Sequence, residues 1–155
     1  MHITASSLVV ALHVIATIAW IGTVVTIATL GGRVRTNGTP EQAVSLFGNL
    51  GWMSRILALP GSIVALLAGG WLLHDGGYSP SQDWWVGTGI GAWLVCFLGS
   101  TMLRGPECSR IVTLAAEKGV DDEDVQWRMQ RVVFLARGES LLLLVAVIVM
   151  VVRPG

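Results

Sequence analysis

The chain has 155 residues, 53% of them hydrophobic and only 13% charged, with a mean hydropathy of +0.68. A soluble domain carries about 25% charged residues, so too little polar surface is available for water and the composition points to a membrane protein. The 10 basic and 10 acidic residues cancel, which excludes a chain-wide basic footprint for nucleic acid, and 2 Cys without a CxxC pattern exclude a disulfide framework or a zinc ribbon.

A bilayer span needs about 20 mostly apolar residues. Four segments qualify, at about 8–30, 56–74, 84–103 and 132–152. The first lacks a basic flank, since no Lys or Arg precedes Arg33, and its apolar run is too long for a signal peptide. It is expected to be a retained helix. All four spans are expected to be helices, which satisfy their own backbone groups in lipid.

Charge placement sets an expected orientation. Arg33, Arg35 and Arg55 lie between the first two spans. Arg104, Arg110, Lys118, Arg128 and Arg131 lie between the last two, and Arg137 lies just inside the fourth. The N-terminal segment and the loop at 75–83 hold no Lys or Arg, and only Arg153 lies at the far end. Nine of the ten basic residues thus place both long connections in the cytoplasm and both termini outside. Trp71, Tyr78, Trp84 and Trp85 fit an outer aromatic belt, and Trp52 and Trp127 an inner one.

Within the connections, residues 41–50 place Val44, Leu46, Phe47 and Leu50 as an apolar face, expected to lie on the bilayer. Gly105-Pro106 punctuates the end of span three, and 107–118 reads as a helix ending at Gly119. Asp121 and Asp124 suit the start of a helix near Asp122, well before the membrane. That acidic run lacks the spacing of a calcium loop. The expected result is an extended cytoplasmic helical hairpin between helices three and four.

Small residues mark expected packing faces. Gly61, Ala65 and Gly69 repeat on span two. Gly87 with Gly91, and Thr88, Ala92, Cys96 and Ser100, repeat on span three. Span four has no such stripe and is expected to be the most lipid-exposed. Cys96 and Cys108 fall on opposite sides of the inner boundary and are expected to stay free.

Chemistry inside the spans is sparse. His13 lies in the outer half of span one, roughly 8–10 Å below its edge. It shares a polar stripe with Ser6, Thr17 and Trp20, and Thr23 lies at the edge of that stripe. The stripe should face the bundle interior. Ionisable groups in a span are rare and usually functional. His13 is therefore either a hydrogen-bonded packing residue or an iron or copper ligand. His74 closes span two at the same face, as a second ligand or as an interfacial His. Arg55, Arg104, Arg137 and Glu139 form an inner-face charge cluster, read either as an Arg–Glu clasp or as an anion or headgroup site. No nucleophile elbow, P-loop or dinucleotide fingerprint is present. No span holds a carboxylate near its centre, and no inverted repeat suggests a transporter protomer.

Four sequence blocks carry a resemblance: "LHVIATIAWIG" in span one, "GGYSPSQDWW" in the outer loop, "ARGESLLLL" opening span four, and the terminal "RPG". With them the chain resembles the bacterial predicted integral membrane proteins grouped as domain of unknown function 2269, over nearly its whole length. The resemblance implies a multi-pass protein of the plasma (inner) membrane without an established activity. His13, Ala16, Trp20 and Gly22 also make the first helix similar to the copper-resistance D group and to haem-J-type protoporphyrinogen oxidases. In the latter, the first-helix His is implicated in haem binding together with a Lys on a later helix. Here the sole Lys, Lys118, lies outside the spans, so only His13 carries over.

The expected fold is an all-α four-transmembrane-helix bundle, N-out and C-out, forming a single integral membrane domain over 1–155. The leading functional expectation is haem b binding or membrane redox chemistry, with His13 and His74 as ligands and Thr17 and Trp20 shaping the pocket. The alternatives are a non-enzymatic structural or accessory subunit, and transport or sensing of a small ligand or metal. Expected partners are the lipid bilayer and either a second copy or a membrane-complex partner, with no nucleic acid.

Overall fold

The computed structural model describes residues 4–152. His2, Arg153 and the terminal Pro-Gly lie outside the described residues. Among the described residues there are six α-helices: α1 (Ala5–Asn37), α2 (Pro40–Met53), α3 (Leu59–Asp75), α4 (Trp84–Leu98), α5 (Gly105–Lys118) and α6 (Glu123–Val152). No strand occurs among the described residues. Short π-helical turns, Ser54–Ala58 and Gly99–Arg104, join α2 to α3 and α4 to α5. The chain therefore has four long continuous helices, each long and apolar enough to cross a membrane.

Local chemistry sets the helix ends. Thr4 caps α1 by accepting from the Ser7 N–H at 3.2 Å. Thr39 and Gln42 exchange side-chain and backbone bonds in a capping box at the start of α2. Gly119 ends α5 with φ +89°, a conformation that side chains with a Cβ resist. Asp122 Oδ1 then accepts from the Asp124 N–H at 3.0 Å as α6 begins. The expected helix at 107–118 and the start near Asp122 agree with these ends.

Both π turns have the same cause. The Leu59 N–H reaches the Ser54 carbonyl, and the Gly105 N–H reaches the Ser100 carbonyl, five residues back. Pro60 and Pro106 come next and have no N–H to give. The carbonyls of Arg55 and Thr101 are left with no N–H four or five residues on. Gly105-Pro106 thus shifts the helical register where a helix end was expected.

The helices are longer than a bilayer requires. At about 1.5 Å per residue, α1 spans roughly 50 Å and α6 roughly 45 Å, against a hydrocarbon core of about 30 Å. The excess gathers at the basic end. There α2, α5, the C-terminal turns of α1 and the N-terminal half of α6 enclose a core containing Phe47, Leu50, Ile111, Val125, Met129 and Val132, all at most 1% exposed. The buried apolar residues of 41–50 are thus turned to protein, where a lipid-facing side was expected. The apolar face of this segment packs against α5, because a protein partner stands within reach. The hairpin of α5 and α6 is present as expected, and α2 completes a small bundle with it.

In the apolar half, α1 packs on α3 and α6, α6 also packs on α4, and α3 touches α4 least. Gly61 and Gly69 face α1 as the stripe suggests: a Cβ at Gly61 would lie 3.1 Å from the Ala16 carbonyl oxygen. Span four departs from expectation. Its apolar window is 33% buried, against 22% for each of the others. Val133, Ala136, Leu143 and Ala146 are buried along α6, which sits between α1 and α4. Val133 reaches to where a Gly31 Cβ would stand, so the small residues are on α1 and the branched knob is on α6.

Candidate functional site

The polar groups of the spans gather at three levels. Nearest the end opposite the basic bundle, α1 presents a half-buried His13 toward α3. Its Nδ1 lies 2.8 Å from the Ala65 carbonyl oxygen. Only a protonated Nδ1 makes that bond, so the neutral ring carries its lone pair on Nε2. A Cβ on Gly69 would stand 3.0 Å from His13 Cε1, so the glycine lets the imidazole lie against α3. Thr17 donates to the His13 carbonyl at 2.7 Å, within its own helix. Trp20, 4% exposed, packs one turn deeper.

His74 is exposed at the last turn of α3. It lies five residues beyond Gly69, which is roughly 7–8 Å along the axis and about 140° around it. The structure therefore puts His13 and His74 on different sides of α3. His74 is flanked instead by a polar corner, where Ser6 donates to Asp75 at 3.0 Å and the Tyr78 and Trp85 rings meet edge to face at 5.1 Å. Among the described residues, no group of three or more His, Cys, Asp and Glu side chains converges.

At mid-bundle a second set of polar bonds ties the spans together. Trp93 of α4 donates its indole N–H to the Ser62 carbonyl of α3 at 2.9 Å, and its ring stacks on Phe97 at 4.8 Å.

The inner-face charge cluster resolves into separate parts. Arg104, 0% exposed, pairs with Glu139 of α6, 7% exposed. Arg104 also donates to Ser100 Oγ at 2.6 Å, and Ser100 donates to Glu139 at 3.4 Å. The triad joins the π turn of one span to the neighbouring span. Gly99 makes room for it, since a Cβ there would stand 2.7 Å from Glu139 Oε1. Arg104 Nε and Glu139 Oε1 are buried without a hydrogen-bond partner among the described residues. Arg137 is two residues from Glu139 and points elsewhere, with its guanidinium over Gly32 of α1. Arg55 stands apart from both, in the cleft described next. Sequence spacing brought the four residues to one depth; Ser100 was read only as a small packing residue, and its hydroxyl is the bridge.

A cleft of about 490 Å³ opens between the two π turns and the starts of α3 and α5. Trp20 of α1 contributes to it, with Leu59, Phe97 and Pro106 as apolar lining and Ser54, Arg55, Thr101 and Ser109 as polar lining. Neither π turn was anticipated from sequence. Pro60 and Pro106 inside apolar helical runs were the available signal.

Outside the spans, Glu107 is buried against Arg128 at 2.8 Å, and Arg128 also binds Asp124 at 3.0 Å. This network clamps α5 to α6. Cys96 and Cys108 are both free and buried.

No curated protein and no solved structure matches the chain. The family model described as predicted integral membrane protein (DUF2269) matches residues 7–154. With nearly the whole chain matched, and four helices able to cross a membrane, the chain belongs to the DUF2269 family of predicted integral membrane proteins.

Proposed function

We propose that this integral membrane protein is a non-enzymatic accessory subunit of the plasma membrane. One observation carries the reading: at three levels of the bundle, polar side chains inside the spans join one helix to another. His13 ties α1 to α3, Trp93 ties α4 to α3, and Arg104, Ser100 and Glu139 tie the α4 end to α6. Buried polar bonds of this kind fix one helix arrangement in lipid. In this reading both termini lie outside and the small bundle of α2, α5 and α6 projects into the cytoplasm, in accord with the basic residues gathered at that end. That bundle offers a membrane complex a rigid docking element.

The test is substitution at His13. His13→Gln retains a side chain able to reach the Ala65 carbonyl and keeps the folded bundle; His13→Ala lowers its melting temperature. Detergent-purified protein from cells supplied with haem precursor should show no Soret band. A Soret band lost in His13→Ala would overturn the reading.

A second reading keeps His13 as a single haem or metal ligand. The observation favouring it is the Nδ1 bond to a backbone carbonyl, which orients the ring and leaves Nε2 as the donor atom, as second-shell partners of ligating histidines do. The same spectrum, oxidised and reduced, decides between the two.

A further inference from the structure

We propose that the cleft between the two π turns binds the headgroup of an anionic phospholipid bearing hydroxyls, of the phosphatidylglycerol type. The charge of the lining points to an anion. Arg55 is the one charged residue among the lining residues, and no carboxylate accompanies it. Its guanidinium has no ion pair and no hydrogen bond among the described residues. The other Arg residues of this level are already engaged: Arg104 by Glu139 and by Ser100, which itself lines the cleft, and Arg137 on the α1 side of the bundle.

The remaining polar groups suit a phosphodiester with a polyol head. The Ser54 and Ser109 hydroxyls and the Trp20 indole N–H have no protein partner among the described residues, and all three residues line the cleft. They supply donors to phosphate oxygens beside the guanidinium. The carbonyls of Arg55 and Thr101, left without an N–H by the π register and the following Pro, supply acceptors for headgroup hydroxyls. Donors and acceptors thus line one cavity, and the acceptors are freed by the two π turns.

The surroundings favour a lipid over a soluble phosphate. Ile56 and Leu57 beside Arg55, and Met102 and Leu103 beside Thr101, are 50%, 43%, 70% and 40% exposed. These side chains offer an apolar surface to acyl chains leaving the cleft. Trp52, 61% exposed, lies one turn toward the basic end, where an interfacial ring belongs. The cleft therefore sits at headgroup depth and opens onto apolar surface.

The experiment uses the full chain, purified in detergent and presented with phosphatidylglycerol, phosphatidylcholine or inorganic phosphate. Bound lipid is read by native mass spectrometry and by the shift in melting temperature. The expected result is saturable retention of one phosphatidylglycerol per chain in preference to phosphatidylcholine. Arg55→Gln should weaken it at least about tenfold, the loss of one charge-assisted hydrogen bond. Ser109→Trp, which fills the cleft from an exposed position without changing charge, should weaken it similarly and covers the case in which Arg55→Gln does not fold. Arg33→Gln, on exposed α1 surface, should leave it unchanged. Equal retention of the two lipids would overturn the proposal. So would saturable binding of inorganic phosphate without lipid preference, or equal losses in Arg33→Gln and Arg55→Gln.

Discussion

Replacing Glu139 with Ala would leave Arg104, 0% exposed, as a cation buried in the bundle without its counter-charge. Breaking a buried ion pair from one side costs about 3–5 kcal/mol, because the remaining charge is desolvated and unpaired. Ser100 still accepts one Arg104 bond at 2.6 Å, which keeps the loss near the lower end of that range. For a chain of this size, 1 kcal/mol shifts the melting temperature by about 2–4 °C, so a fall of roughly 6–12 °C is expected for a loss of about 3 kcal/mol. The double variant Arg104→Met with Glu139→Leu removes both charges and supplies apolar volume. It should recover most of the loss, since a buried pair is seldom better than well-packed apolar groups. Thermal melts of Arg104→Met, Glu139→Leu and the double variant in one detergent, run as a double-mutant cycle, measure the coupling. Glu117→Ala, at an exposed position on α5, serves as the reference. If Glu139→Ala melts with that reference, or if the two single losses simply add in the double variant, the clasp does not hold the bundle together.

Other perturbations separate the two halves of the protein. Phe47→Ala, in the core at the basic end and 0% exposed, should cost about 3–5 kcal/mol, whereas Phe134→Ala at 75% exposure should be near neutral; denaturant melts compare them. Gly61→Leu should push α3 off α1 and lower stability by about 1–3 kcal/mol, because a Cβ already stands 3.1 Å from the Ala16 carbonyl oxygen. Gly91→Leu, with nothing within 4 Å, should leave the melting temperature of the same preparation unchanged. Cys96 and Cys108, 0% and 2% exposed, should resist maleimide in the folded protein and react fully in denaturant, read by intact mass.

The long basic-end bundle changes how the chain meets the membrane. Amphipathic residues 41–50 suit either a lipid surface or a protein groove, and their periodicity is the same for both. The choice falls to α5 and α6, which present Ile111, Val125 and Met129 where Phe47 and Leu50 arrive. Glu107, Arg128 and Asp124 then lock α5 to α6 beside this core.

The four spans, their approximate ends and the helix start near Asp122 were readable in the chain, because hydropathy and capping are local properties. The α1–α3 stripe was equally legible: Gly61, Ala65 and Gly69 return to one face at every fourth residue. Contacts made across helices were not. Glu139 could have paired with Arg55, Arg104 or Arg137 by depth alone, and only the rotation of α4 against α6 selects Arg104. The burial of α6 was not legible either, because its Val133 fits against Gly31 and Gly32 on α1 and no small-residue stripe of its own was needed. His13 and His74 share an end of the bundle in sequence, yet helix phase turns them to different sides of α3. The cleft required two prolines on separate helices to open facing π turns, a coincidence of position that packing alone decides.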